Sequence, residues 1–281
     1  MRSVLAIDIG GTKLDVGVVD ESGAVLRRQR AATARDDPWA ALASLIDGVL
    51  SDGVSVAAVG VGCGGPMAPQ GETVSPLNIA AWRGFPLRAR LRELTRRDVF
   101  VDNDAKALAL GEGRFGAARG VENFMAMVVS TGVGGGIVVD GRVLDGDTGN
   151  AGHIGHVIVE PEGASCVCGA RGCLEAETSG PSIERLTGRP AAEADAATIL
   201  RTGTLVGRGI ASVVNLLDIR LALVGGSVAL GLGDSFFEAA QREVDSRCRI
   251  EFARGARVAP VGLGSDGPLV GAGAVAYRAL A

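Results

Sequence analysis

One pattern occurs twice along this chain of 281 residues: an apolar run, a turn crowded with glycine, and a second apolar run. The first copy spans residues 4–30 and the second residues 124–145. In the first, strands are expected at 4–8, 14–19 and 24–30. They are separated by residues 9–13 and by Asp20-Glu21-Ser22-Gly23, whose composition is that of a hairpin turn. In the second, strands are expected at 124–129, 135–139 and 142–144. The turn between the first two, Ser130-Thr131-Gly132-Val133-Gly134-Gly135-Gly136, holds more glycine than a hairpin needs, as expected where a backbone must come close to a ligand. The recurrence predicts a duplicated α/β chain of two domains. Glycine usage agrees, at 43 residues or about twice the ordinary share, without a collagen-like period.

The remaining elements fit around these copies. Asp37 is placed to cap a helix with Pro38 at its first position, and Trp39, Leu42, Leu45, Ile46, Val49 and Leu50 give it an apolar face. A buried strand at 56–61, a helix at 86–95, a strand at 99–101 and a helix at 104–115 follow. Later come a helix over 207–217, a strand at 221–224 and a tail helix at 270–280. The expected division is a smaller N-terminal domain, 1–105, completed by residues 270–281, and a larger domain, 106–269, that carries a cysteine-rich loop at 153–175.

Composition narrows the partners. A net charge of −4 offers no basic footprint for nucleic acid. The opening apolar run is short and ends in an acid, and no apolar run approaches the ~20 residues of a membrane span. A cytoplasmic protein with no membrane partner is expected. Of the five cysteines, Cys166, Cys168 and Cys173 crowd into eight positions, which in a reducing compartment favours metal over disulfide.

Three glycine turns are candidates for holding phosphate. In Asp8-Ile9-Gly10-Gly11-Thr12-Lys13, Gly10 and Gly11 let backbone amides face phosphate oxygens. Thr12 and Lys13 add hydrogen bonds or charge, and Asp8 can hold Mg²⁺. Thr131 and Gly132 lie in the second turn. Gly225-Gly226-Ser227 follows a strand and can sit beneath an adenine. An ordinary glycine hairpin explains any one of them; together they point to ATP. Asp102-Asn103-Asp104, between a strand and a helix, supplies a carboxylate for general-base work, or merely competing helix caps. His156, Cys166, Cys168 and Cys173 form a set suited to a closed, tetrahedral structural zinc site, with buried free thiols or a transient disulfide as the alternative. Trp82 reads as a packing residue.

The opening phosphate turn, Val101-Asp102-Asn103-Asp104-Ala105 and the block from Gly149 to Gly180 resemble the ROK family of bacterial repressors and sugar kinases, over nearly the whole chain. The resemblance implies an actin/hexokinase-like (ribonuclease-H-like) two-domain fold with nucleotide and sugar in the interdomain cleft. It also implies ATP-dependent phosphorylation of a hexose, at the 6-hydroxyl, and a homodimer or homotetramer. By motif, Asn103 holds sugar hydroxyls, Asp104 takes the proton, and Gly65, Asn78, His156 and Glu175 line the sugar. Related kinases usually read Gly-Glu-x-Gly-His where this chain has Gly152-His153-Ile154-Gly155-His156. His153 cannot offer two carboxylate acceptors, so an amino sugar or a sugar-like cyclitol stands behind the hexose. A non-catalytic sugar sensor is the competing class. A nucleotide-dependent chaperone of the same fold is disfavoured by Asn103-Asp104 and the zinc block.

Overall fold

The computed structural model describes residues 2–51 and 53–281. In chain order its first elements are β1 (Ser3–Ile9), β2 (Lys13–Asp20), β3 (Val25–Ala32), α1 (Pro38–Val49), β4 (Val59–Cys63), α2 (Leu87–Thr95), β5 (Val99–Asn103) and α3 (Asp104–Phe115). Then come β6 (Phe124–Val129), β7 (Val133–Val139), β8 (Arg142–Val143), α4 (Leu174–Thr178), α5 (Gly180–Thr187) and α6 (Ala196–Leu217). The chain ends with β9 (Leu221–Gly225), α7 (Ser227–Leu232), α8 (Asp234–Arg247), β10 (Arg257–Pro260) and α9 (Gly267–Leu280).

Two compact units result. The first takes the chain through Arg119, with Asp145–Ala151 and Leu263–Ala281; the second takes Gly120–Leu144 and Gly152–Gly262. The sequence-based boundary at 105/106 therefore falls inside the first unit. The reason is small-residue packing of α3 on α9: a Cβ at Gly271 would lie 2.5 Å from the Ala107 carbonyl oxygen.

The first unit is built on a sheet of order β3-β2-β1-β4-β5, with β1, β2 and β3 antiparallel and β1, β4 and β5 parallel. Side chains alternate across β1. Leu5, Ile7 and Ile9 join Leu42 and Ile46 of α1 in one core, while Val4 and Ala6 pack with Leu269, Ala272 and Tyr277 of α9 in another. Burial on both faces explains why these strands read as continuous apolar runs. Trp82 is 2% exposed and stacks on Phe85 with ring centroids 4.4 Å apart, a packing residue as expected.

The second unit has the sheet order β10-β9-β6-β7-β8, again an antiparallel meander with two parallel strands added beside its first strand. The two sheets thus share one topology, the structural counterpart of the repeated sequence pattern. Met125, Met127 and Val129 of β6 meet Leu205, Ile210 and Val214 of α6 and Phe236 of α8 in its core. Several elements differ from the expected spans, three of them instructively. β4 runs to Cys63, in register with Ile9 and Asn103. β7 starts at Val133 and takes three glycines into the sheet. α6 starts at Ala196, with Asp195 accepting from the Thr198 amide at 2.8 Å.

Candidate active site

In the first unit the parallel strands deliver their carboxyl ends together. Asp8 pairs with Gly62, and Cys63 with Asn103, so Asp8, the start of the Cys63–Pro66 turn and Asn103-Asp104 lie at neighbouring strand ends. Asp8 is buried, and its carboxyl is pushed up to about 7, first by burial and then by the Asp104 carboxylate. The Cys63 thiol is driven well above its ordinary range, by burial first and then by Asp104 and Asp8. These shifts place Asp104, Asp8 and Cys63 in one electrostatic neighbourhood. Lys13 and Arg28 act on Asp8 in the opposite direction but less strongly than burial and Asp104, and two neighbouring carboxylates suit a divalent cation.

The opening turn is braced from outside. Thr33 donates its hydroxyl to the Gly10 carbonyl oxygen at 2.7 Å and its amide to that of Thr12 at 3.1 Å. The Gly10 amide closes the hairpin on the Lys13 carbonyl oxygen at 2.9 Å, so it is committed to the backbone rather than turned to a phosphate. This corrects the role expected of Gly10. Gly11 serves close approach: a Cβ there would lie 2.3 Å from Cβ of Asn78, which sets the turn directly against the loop that carries Asn78. Lys13 pairs at 3.3 Å with fully buried Asp15, which also binds Arg28 and Arg30.

At the β5–α3 junction the Ala105 amide donates to both Asn103 Oδ1 and Asp104 Oδ1, the latter at 2.8 Å. Asn103 is the cap, its Oδ1 accepting from the Ala105 amide at 3.0 Å and the Lys106 amide at 3.4 Å. Asp102 is buried and paired with Arg278 at 2.8 Å and Lys106 at 3.3 Å. Asp104 remains exposed at the first position of α3, where the helix dipole favours a carboxylate. With its carbonyl engaged, Asn103 retains its amide NH₂ as a hydrogen-bond donor. A Cβ at Gly64 would stand 4.0 Å from Asp104 Oδ2, so the turn carrying Gly64 and Gly65 runs along the Asp104 carboxylate. A separate cavity of about 430 Å³ is lined by Asp102, Lys106, Asp145 and Arg278 but by none of the expected site residues.

In the second unit the β6–β7 turn is Ser130-Thr131-Gly132, with Thr131 exposed. The surplus glycines have a structural use. A Cβ at Gly135 would lie 3.0 Å from Ile154 and 3.3 Å from the Gly152 carbonyl oxygen, so this glycine admits the segment before His156. The third turn meets the second: the Ser227 and Ser130 hydroxyls are 2.9 Å apart, and Gly226, at φ +96°, lies where a Cβ would be 2.3 Å from the Val129 carbonyl oxygen. Glu175, on α4, accepts from the Val133 amide at 2.9 Å, a contact that sequence motifs did not reveal. His153 is exposed, its ring nearly parallel to that of His156 with centroids 6.1 Å apart.

The four expected metal ligands converge. One donor atom from each of His156, Cys166, Cys168 and Cys173 lies within 4.8 Å of the others. Cys166 Sγ is 3.7 Å from His156 Nδ1, and Cys168 Sγ is 3.7 Å from Cys173 Sγ. A tetrahedron with ~2.3 Å Zn–S bonds has edges of about 3.8 Å, so the cluster fits zinc. No disulfide links these cysteines. Burial, then the Cys166 and Cys168 thiols, hold Cys173 up at about 12, so a metal would displace its proton.

Among the described residues no helix is long and apolar enough to cross a membrane. A glucokinase from Thermotoga maritima is 40% identical over 188 residues, 65% of this chain; the match spans 59% of that protein. An N-acetylmannosamine kinase from Yersinia pestis is 35% identical over 253 residues, 83% of this chain and 86% of that one. The crystal structure of a ROK hexokinase from Thermus thermophilus superposes with a TM-score of 0.86 at 33% identity, covering 99% of both chains. The sequence profile described as the ROK family matches residues 4–279. With that match, and with the duplicated fold and its strand-end carboxylates, the chain belongs to the ROK family and is a sugar kinase of that family.

Proposed function

We propose that this protein transfers the γ-phosphoryl group of ATP to a hydroxyl of an N-acylated amino sugar of the N-acetylmannosamine kind. The observation that carries the kinase chemistry is the Asp104 carboxylate, exposed at a helix N-terminus and sharing the electrostatic field of Asp8 in the opening phosphate turn. Asp104 takes the proton of the attacking hydroxyl and Asn103 orients that hydroxyl through its amide. Asp8 would hold Mg²⁺, which neutralises charge on the phosphates. Gly11 and Thr12 are the first unit's candidates for contact with phosphate, and Thr131 and Gly132 are the second unit's.

The choice of sugar rests on His153. An imidazole offers one lone pair or an N–H, and so suits a carbonyl or amide better than a pair of hydroxyls. The N-acetylmannosamine kinase relative, matched over 83% of this chain, favours the same choice. Glucose is the second reading, supported by the 40% identity to a glucokinase.

Steady-state kinetics with ATP over glucose, mannose, N-acetylmannosamine, N-acetylglucosamine and a cyclitol tests the assignment. The expected outcome is the highest kcat/KM for an N-acetylated hexosamine. His153→Glu is expected to move the kcat/KM ratio between that sugar and glucose about tenfold toward glucose. An unchanged ratio removes His153 from specificity, and no phosphorylation of any sugar overturns the kinase assignment.

A further inference from the structure

The turn Ser130-Thr131-Gly132 is held at both ends by one short segment, 175–180. At one end, Glu175 Oε2 accepts the Val133 amide at 2.9 Å. At the other, the Gly180 amide donates to the Ser130 carbonyl oxygen at 2.8 Å. Gly132 lies against the same carboxylate, since a Cβ there would be 3.0 Å from Oε2. The segment is internally braced: the Ser182 hydroxyl and the Ser179 amide both donate to the Glu175 carbonyl oxygen, at 2.9 and 3.1 Å. It lies two residues beyond Cys173, the N-cap of α4 and one of the four clustered ligands.

A carboxylate beside a phosphate turn opposes the charge of the phosphates, so its presence needs a compensating role. Its geometry supplies one. The hydrogen bond fixes the plane of the Gly132–Val133 peptide, and with it the direction in which the turn aims its amides. We propose that Glu175 is a positioning residue for the nucleotide turn, setting ATP affinity before any sugar is bound. This role is additional to the sugar contact implied by motif; a carboxylate has two oxygens and accepts several hydrogen bonds. The proposal rests on the assignment of this turn to the nucleotide.

The experiment measures the Kd of a non-hydrolysable ATP analogue with Mg²⁺, in the absence of sugar, for wild type, Glu175→Gln and Glu175→Ala. Gln keeps an oxygen that can accept from the Val133 amide and removes the charge, so its Kd is expected to equal or fall below that of wild type. Ala leaves the amide without its acceptor, and its Kd is expected to rise about tenfold, in line with the loss of one hydrogen bond to a charged group. In turnover, Glu175→Gln is expected to raise the KM for sugar while leaving the KM for ATP near wild type. A role confined to sugar binding would leave the analogue Kd within twofold in both variants, and that result overturns the proposal. Glu175→Asp provides a second reading if Glu175→Ala does not fold: it keeps the charge and draws the acceptor back from the Val133 amide by one methylene, so the analogue Kd is expected to rise. An unchanged analogue Kd in Glu175→Asp likewise overturns the proposal. Wild type that fails to bind the analogue at all contradicts instead the assignment of the turn to a nucleotide.

Discussion

Asp104 stands exposed beside neighbours with other tasks: Asn103 supplies the cap, and Asp102 is paired with Arg278 and Lys106. The Ala105 amide donates to Asp104 Oδ1 at 2.8 Å. Asp104→Asn keeps the shape of the side chain and removes its basicity. It is expected to lower kcat by about 10²–10⁴, the ordinary worth of a general base, with thermal stability nearly unchanged. Turnover close to wild type would take Asp104 out of the mechanism. At this scale the sequence was legible where chemistry demanded an unusual cluster: the four zinc-type ligands were found from residue type and spacing, whereas residue type alone left the Asn-Asp pair a helix cap and only the resemblance to the ROK family singled it out. The Glu175–Val133 contact was not, because one carboxylate accepting from an amide 42 residues away leaves no periodic or compositional trace. The Gly10 amide was misread for a related reason. A glycine needed for a tight hairpin and one that faces a ligand look identical until the hydrogen bond is traced.

At the scale of elements, the zinc-type cluster organises a stretch with little regular structure. Between β8 and α4 there are only one short 3₁₀ turn, at Ile154–His156, and isolated bridges such as Ile158 with Cys173 and Ser165 with Arg171. Ile154 and Val159 anchor the stretch in the second unit's core, but its cysteine-bearing part is held by the small cluster of Cys166, Cys173 and Ala176 with Ala164 beside them. Metal binding is therefore expected to supply much of its order. Metal analysis of protein purified without added metal should give one zinc per chain. Its removal by chelation should lower Tm by about 4–8 °C if ~2 kcal/mol is lost from a unit of this size. Protein free of zinc and as stable as before would exclude the structural role. Helix α6 shows why some elements were only half legible. Gly203 and Gly207 let the helix press on α8, where a Cβ would come within 2.5 Å of the Phe236 and 2.4 Å of the Ala240 carbonyl oxygen. Glycine lowers helix propensity and blurs the apolar period, so the helix was expected only from Gly207 onward. β7 was shortened for the same reason, its glycines having the composition of a turn.

The whole molecule was legible as a duplication because each half repeats strand, glycine turn and strand, and the two sheets have the same strand order. The boundary was not, because α3 follows the Asp102-Asn103-Asp104 run directly and nothing in its sequence says on which unit it packs. Only the close fit of small residues, Gly111 and Ala107 against Gly271, assigns it to the first.

That first unit carries a stability cost that pH should expose. Asp8 is buried and its carboxyl stands at about 7 instead of its ordinary 3.8, through burial first and then the charge of Asp104. Between those values the folded chain keeps a proton that the unfolded chain has released, so the folded state binds more protons and loses stability as pH rises. Below 3.8 the term favours the folded state in full, and above 7 the loss is complete. Other carboxylates act in the opposite sense: the Asp20 carboxyl is lowered, chiefly by the Ser22 hydroxyl, and loses its stabilising effect in acid. The Asp8 term is therefore isolated by comparison with Asp8→Asn, which removes the titration and retains the shape. Denaturant unfolding of metal-free protein at pH 5 and pH 8 should show the variant gaining on wild type at the higher pH by about 1–4 kcal/mol. Mg²⁺ with ATP should reverse this gain for wild type alone, because a cation at the Asp8 carboxylate favours its charged form. A stability difference between variant and wild type that stays constant from pH 5 to pH 8 would mean that Asp8 is already ionised in the folded protein.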